Sequence, residues 1–469
     1  MKTTSVKSSW FSSTTNRLDA EFHLSDAVKT RKLLEQAKSL LPLNKVTQEI
    51  FLGNIFRRTF VKDAVNGLPY ITASDMINTN INTGKFLSKK LTLKQNRLIL
   101  KKDWILLSCS GTLGNVIYTN EEFEGKIGTH DLIRIIPSKN SKALPGFLYA
   151  YLASKYGYTL LTQPSYGGVV KHIEPHHVSD LPVPIFEEST QKEIHNLILE
   201  ASKLRVIANE IIRKTQLLFS NRLGVSQIDL NRLNSRTEKD LGNIYKRKFD
   251  EINPISLRSR NYSERKNRII ETLKKDNWEK LIDVLEREPF YGLRFKRIES
   301  RSNKGIELLS QGNLFDNKPK GRIISSRNVG NIEQEIVRRG TIIVPGQGTL
   351  GENEIFARAQ YVWGYLEDKL IAGHAMRFIP NSRIQSGYLY CVLSSPFWFR
   401  LLRNSVYGTN LLGFIVPMLI EYPVPRFEAE FESNISEKIN SAYEKLTLSI
   451  EKEKSAIHLI EKEIESWQN

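Results

Sequence analysis

The chain repeats itself, and no other feature constrains its fold as strongly. Gly146-Phe147-Leu148-Tyr149 returns as Gly387-Tyr388-Leu389-Tyr390, an offset of 241 positions. The same offset carries Leu152 onto Leu393, Ser154 onto Ser395 and Leu160-Leu161 onto Leu401-Leu402. It continues through Tyr166-Gly167 and Tyr407-Gly408 to Pro182-Val183-Pro184 and Pro423-Val424-Pro425, with no gap. Upstream the register drifts, as loop insertions make it drift. Gly111-Thr112-Leu113-Gly114 pairs with Gly348-Thr349-Leu350-Gly351 at an offset of 237, and His130, Arg134 and Pro137 resemble His374, Arg377 and Pro380. Type, order and spacing agree together, so the chain is two versions of one module.

Each module reads in the same order. A short helix is expected first, over Ser25 to Leu40 and Ser263 to Lys275. Strand-like runs follow, which in the first copy are Leu68–Ile71, Leu98–Leu100, Trp104–Leu107 and Leu132–Ile136, with Gly, Asn and Asp between them as turns. A helical stretch from Gly146 to Leu161 then packs on the sheet, and Pro-Val-Pro closes the domain because Pro cannot continue a helix or a central strand. A long helix comes last. In the first copy apolar residues recur every three or four positions, Ile194, Leu197, Leu204 and Ile211 among them. In the second, Ile439, Leu446, Ile450 and Ile457 lie close to a heptad seam. Helices of that length with one apolar stripe need a partner, and the economical one is each other, in an antiparallel coiled coil. The expected class is α+β, with two similar domains joined by long helices. The expected division is 1–43, an N-terminal helical segment; 44–187, the first domain; 188–277, spacer helix and connector; 278–427, the second domain; and 428–469, the C-terminal spacer helix.

With 469 residues and a hydrophobic fraction of 40%, the chain has enough material for more than one core. The longest apolar run, near Phe414 to Ile420, falls far short of a membrane span, and no apolar segment follows Met1-Lys2-Thr3-Thr4-Ser5 as a secretory signal requires. Two cysteines, Cys109 and Cys391, cannot build a disulfide framework or a zinc cluster. A cytoplasmic location is the expectation. The formal net charge of +17 favours encounter with polyanions. Seven basic residues and no acid lie between Gly84 and Lys102, Lys85, Lys89, Lys90, Lys94 and Arg97 among them. Leu257 to Arg327 holds 18 basic and 10 acidic residues and includes Lys318, Lys320, Arg322 and Arg327, whereas Glu428 to Asn469 holds 5 Lys against 10 Glu. Phosphate contacts are therefore expected away from the C-terminal segment.

Catalytic constellations are weak. Asn253-Pro254-Ile255-Ser256 starts like the Asn-Pro-Pro-aromatic motif of amino-methyltransferases but lacks the second Pro and the aromatic. Asp103, Glu124 and Lys126 are a nuclease-like triple without an equivalent in the second copy. His172, His176 and His177 have no accompanying zinc-ligand spacing, and no phosphate-binding Gly-Lys loop exists. The Gly-Thr-Leu-Gly segments read either as tight strand connections needing positive φ or as loops presenting Ser110, Thr112, Gln347 and Thr349 to DNA. Lys171 and His172, and Thr409 and Asn410, sit beside the repeated Tyr-Gly and have little structural reason to be there.

Three features together carry a family resemblance: the Arg17-Leu18-Asp19-Ala20-Glu21-Phe22 entry, Tyr166-Gly167 leading through Leu181-Pro182-Val183-Pro184 into Gln191-Lys192-Glu193-Ile194, and the duplicate ending in Pro423-Val424-Pro425. The chain resembles the specificity subunits of type I restriction–modification enzymes over essentially its whole length. The resemblance implies two target-recognition domains, each reading one part of a split DNA site. It further implies that the helices act as a ruler and dock two adenine methyltransferase subunits, and that a motor–nuclease subunit joins that core. S-adenosylmethionine, ATP and Mg would then belong to partners, with no cofactor on this chain. Glu428-Ala429-Glu430-Phe431 after the second Pro-Val-Pro departs from the family's usual Glu-Gln-Lys start. The polar stretch from Asn221 to Pro254 is longer than a simple connector. Both leave room for a related methylase-based phage-defence complex. A stand-alone nuclease and an unspecific DNA-binding scaffold remain as alternatives.

Overall fold

A computed structural model describes residues 3, 5–6, 20–62, 64–92, 96–163, 165, 171–226, 244–252, 254–300 and 305–468. The chain forms two compact units, residues 1–206 with 448–469, and residues 207–447.

In the first unit, α1 (Asp26–Leu34) precedes strands β1 (Leu40–Pro42), β2 (Thr47–Leu52), β3 (Phe60–Val61), β4 (Gly67–Ile71), β5 (Phe86–Ser88), β6 (Ile105–Ser108), β7 (Val116–Tyr118), β8 (Ile127–Gly128) and β9 (Leu132–Pro137). Then come α2 (Pro145–Ala153), α3 (Lys155–Thr162), β10 (Pro182–Pro184) and the long α4 (Glu188–Arg222). One sheet has the order β2-β9-β6-β7 and a second the order β3-β5-β4-β8, in which β4 and β8 run parallel. Every residue of β6 is buried, as expected of a central strand made of Ile105, Leu106 and Leu107. Helix α2 is apolar all round and is correspondingly buried from Gly146 to Leu152. Ile194 and Ile198 of α4 share its core with Ala456, Ile460 and Ile464.

The second unit repeats this plan with α5 (Glu264–Leu273), β11 (Trp278–Lys280), β12 (Phe290–Tyr291), β13 (Gly305–Leu309), β14 (Arg322–Ser325), β15 (Ile342–Pro345), β16 (Gln360–Tyr361), β17 (Leu370–Ile371) and β18 (Ala375–Phe378). It continues through α6 (Ser386–Ser394), α7 (Pro396–Asn404), a hairpin of β19 (Val406–Tyr407) and β20 (Gly413–Phe414), β21 (Pro423–Pro425) and α8 (Ala429–Ser466). Its main sheet, β12-β18-β15-β16, has the strand order of the first unit, and β13 and β17 again form the parallel pair. Ala208 and Phe219 share this unit's core with Ile435, Ile439, Ala442 and Leu446. Mixed helix and strand, two alike units and two long helices are what the sequence leads one to expect.

Several local expectations fail for physical reasons. The first helix ends at Leu34 instead of Leu40, because Leu40–Pro42 is extended and pairs with Pro182–Pro184. Residues before a proline are pushed out of the helical region. The Pro-Val-Pro segments therefore form strands rather than mere stops, and a two-stranded edge position tolerates proline's missing donor. The second copy pairs Trp278–Lys280 with Pro423–Pro425 in the matching register. The stretch from Gly146 to Leu161 is two helices, broken where Ser154 turns extended and its hydroxyl accepts the Gly157 amide at 3.2 Å as an N-cap. Ser395 does the same for Trp398. Leu98–Leu100 is no strand: Asn96–Leu98 is a 3₁₀ turn and Ile99 makes one isolated bridge to Ile127. Among the described residues no helix is long and apolar enough to cross a membrane.

Candidate nucleic-acid interface

In each unit the fold brings together two loops that the sequence keeps far apart. Ser110 forms a bridge with His172, and the Ile173 amide donates to the Cys109 carbonyl at 2.9 Å. The Gly111–Gly114 turn is thereby held beside Lys171 and His172. Ser108 ties its base, donating to the Thr112 carbonyl at 2.7 Å and accepting from the Asn115 amide at 3.0 Å. Gly111 and Gly114 have φ of 71° and 82°, and a Cβ on Gly114 would come within 2.7 Å of the Tyr158 ring. These glycines are thus required by geometry, while Thr112 projects into solvent. In the second unit Gly348 bridges Leu412, which sets Gln347 and exposed Thr349 beside the β19–β20 hairpin with its exposed Thr409 and Asn410. Arg403 braces that loop. Its buried guanidinium donates to the carbonyls of Leu350 at 3.0 Å and Gly351 at 2.8 Å, and burial pushes its pKa down to about 10. Tyr166, Gly167 and Gly168 lie outside the described residues.

The basic run after Gly84 is less free than its sequence suggests. Lys85 donates to Asp75 at 2.8 Å with both side chains largely buried. Lys89 caps the Val65 carbonyl at 2.8 Å, and Arg97 pairs with Glu49 at 2.6 Å while stacking over Phe51. Lys90 is exposed, and Lys94 lies outside the described residues. In the second unit Lys320, Arg322 and Arg327 are exposed and Lys318 is half-buried. Arg322 has only a 3.7 Å approach to an exposed Glu299, a contact worth little.

The partner-facing positions need correction. Ile194, Ile439, Leu446 and Ile450 are buried in the chain's own cores, so their side chains are already covered. Leu197, Leu204, Ile211 and Ile457 are only partly buried. The large apolar residues that the long helices leave exposed are Leu199, Leu217 and Leu448. The periodicity found the buried stripe, which faces inward.

The first acid of the nuclease-like triple is engaged within the fold. The Asp103 carboxylate accepts the Tyr118 hydroxyl at 2.9 Å. Among the described residues no three His, Cys, Asp or Glu side chains converge as a metal site. His177 is structural, its Nδ1 accepting the Glu174 amide at 3.0 Å as part of a capping box, with the His176 ring tilted against it.

The repeat also pairs two buried arginines. Arg134 and Arg377 occupy matching places, each opposite a β-branched or leucine residue of the central strand (Leu106 and Ile343) and each buried. Arg134 donates to the carbonyls of Gly128 at 3.0 Å and Thr129 at 3.1 Å, and burial pushes its pKa down to about 10, so it stays charged at neutral pH. Arg377 donates to Glu335 at 3.2 Å, an ion pair almost closed to solvent. The preceding histidines face arginines. His130 Nδ1 is 3.3 Å from Arg58, and burial together with Arg294 and Arg297 holds the His374 pKa below its ordinary value.

Residues 47–210 match the family described as type I restriction modification DNA specificity domain. No curated protein matches the chain. Among solved structures it is similar to the type I restriction–modification S subunit from M. genitalium, at 12% identity over 92% of this chain and 95% of that one, with a TM-score of 0.38. It is also similar to the HsdS subunit from Thermoanaerobacter tengcongensis, at 13% identity over 90% and 95%, with a TM-score of 0.26. The family match thus covers the first unit's four-stranded sheets and most of α4, and over those residues the chain is similar to the DNA specificity domain of type I restriction–modification systems.

Proposed function

We propose that the chain is a non-catalytic subunit that reads a two-part DNA site and directs a DNA adenine methyltransferase to it. The observation that carries this reading is the duplication: one chain holds the same sheet order twice, and each copy sets a Gly-Thr-Leu-Gly loop against a second polar loop. Two such modules on one polypeptide suit two patches of one duplex. Arg, Lys, Asn and Gln on the loops would read base edges, each good bidentate pair giving about 1–3 kcal/mol of discrimination, while other basic residues hold phosphates. Helices α4 and α8, which contribute residues to one core within each unit, would serve as the spacer between the modules. Exposed Leu199, Leu217 and Leu448 offer that spacer's outer face to two methyltransferase subunits. S-adenosylmethionine would reside on those subunits, and ATP with Mg on a translocase subunit that completes the complex in the cytoplasm.

The test is a domain exchange. Replacing residues 44–184 with those of a relative of different specificity, in complex with the methyltransferase, should change one half of the methylated motif. A change in both halves, or methylation that ignores the exchange, would overturn the modular reading.

A further inference from the structure

The segment that leaves the first strand of each main sheet is built alike in both units, although its sequence is short and polar. Phe51 pairs with Arg134, and Phe290 with Arg377. This places Gly53-Asn54-Ile55-Phe56-Arg57-Arg58 on Gly292-Leu293-Arg294-Phe295-Lys296-Arg297, an offset of 239. The glycine leaves room for the side chains packed against it. A Cβ on Gly53 would overlap the Leu98 side chain and lie 3.2 Å from the Arg134 guanidinium, and one on Gly292 would lie 2.7 Å from the Arg377 guanidinium and 3.0 Å from the Glu335 carboxylate. The phenylalanine is an anchor. Phe56 packs on the cluster containing Tyr70 and Ile127, and Phe295 on the cluster containing Leu308 and Leu370, which are the parallel strand pairs of the two units. The residues on either side of the anchor are exposed in both copies.

Each arm thus ends in an anchored, outward-facing pair of cations, with no acid between the glycine and the second cation. Arg58 lies beside His130 and over the Tyr70 ring, with a 3.7 Å approach to the part-exposed Asp131 that a phosphate would have to displace, and Arg297 lines a hollow with Arg294 and His374. Arg297 also lines the adjoining hollow with Lys320 and Arg322, and neither hollow has an acidic lining residue. What is constant between the arms is the glycine, the anchor and the basic pair. What differs is Asn54-Ile55 against Leu293-Arg294. Contacts to phosphates carry no sequence information and can be shared by two modules with different targets, whereas base-reading residues must differ.

We propose that these two arms are the phosphate clamps of the chain, Arg57-Arg58 and Lys296-Arg297 each gripping the backbone of duplex DNA. The proposal rests on the reading of both units as DNA-recognition modules. The guanidinium groups of Arg58 and Arg297 can bind a phosphate in bidentate fashion, and the anchored phenylalanine spares much of the ordering cost that a free loop would carry.

The experiment is a salt titration of the full chain binding a pool of random-sequence duplexes, followed by fluorescence anisotropy, for the parent, R57A/R58A and K296A/R297A. Each double variant should reduce the slope of log affinity against log salt by roughly 1.8, two phosphates at about 0.9 each. The thermal unfolding should match the parent, because the replaced side chains are exposed. In complex with the methyltransferase, both variants should methylate the parent's motif, only more weakly. Parental slopes in either variant overturn the proposal, as does a slope that falls only on K320A/R322A. Variants that keep parental DNA binding but lose the methyltransferase subunit assign the arms to a protein partner and equally overturn it. If the parent chain itself binds no duplex, the DNA-recognition reading fails first and the clamps fail with it.

Discussion

Gly146 lies against the backbone of His195: its amide donates to the His195 Nδ1 at 3.0 Å, and a Cβ in its place would fall 2.9 Å from the His195 carbonyl oxygen. The second unit makes the same approach, where a Cβ on Gly387 would lie 2.8 Å from the carbonyl of Ser436. These contacts seat α2 on α4 and α6 on α8, and so set each module on its long helix. An alanine would gain about 1 kcal/mol in helix propensity. It would also force apart two backbones that have no flexible side chain to yield, at a cost of about 1–3 kcal/mol. Gly146→Ala and Gly387→Ala should therefore each lower the denaturation midpoint, and an unchanged or raised midpoint would show that the helices can separate freely.

The His195 hydrogen bond has a pH consequence. Because Nδ1 accepts from an amide, the ring must be neutral, and burial holds its pKa below the ordinary histidine value. The unfolded chain, with its histidine near 6.5, then takes up protons before the folded one does. Stability is full above the unfolded pKa and falls as pH drops through it toward the lowered folded value. His374 is shifted in the same direction and adds to the trend. Urea denaturation at pH 7 and pH 5 should show a smaller loss for His195→Gln than for the parent. Equal losses would remove His195 from the account.

Arg377 and Glu335 form the most enclosed ion pair beneath the second arm, and Glu335 also accepts the Leu293 amide at 3.1 Å. Removing one partner strands a buried charge, which costs about 3–5 kcal/mol, while replacing both with apolar groups costs far less. Arg377→Met should be strongly destabilising, and adding Glu335→Leu should recover part of the loss despite the amide that leucine leaves unpaired. Additive losses in the double-mutant cycle would mean that the two charges are not coupled.

How much of this was legible depends on where each feature sits. The ungapped offset of 241 covers α2, α3, β10 and their copies, and these elements pack on the long helices, where an insertion would shift a whole core face. Upstream, loop insertions alter the spacing, so the arms fall at offset 239 and share only Gly, Phe and Arg as identities, too little to notice without the strand pairing. The α-helical period located the apolar stripe of α4 and α8 but could not say whether its own domains or another protein covers it. Charge counting failed in a similar way. No acid occurs between Gly84 and Lys102, yet Asp75, Glu49 and Glu121 reach that run from other segments.

Lys85 and Lys90 therefore separate two roles that composition merges. Lys85 is held by Asp75, whose carboxylate also accepts the Thr72 amide at 2.9 Å, so the lysine closes a small buried network. Lys85→Met would leave that carboxylate short of a partner, at about 1–3 kcal/mol, and should lower the thermal midpoint with little effect on the salt slope of DNA binding. Lys90 is exposed on the turn Lys89–Thr92. Lys90→Met should leave the midpoint within error, and if that lysine meets a phosphate it should lower the salt slope by about 0.9. Measuring both quantities on both variants decides the matter: a Lys85 variant that keeps its stability and loses DNA would return the buried pair to the interface.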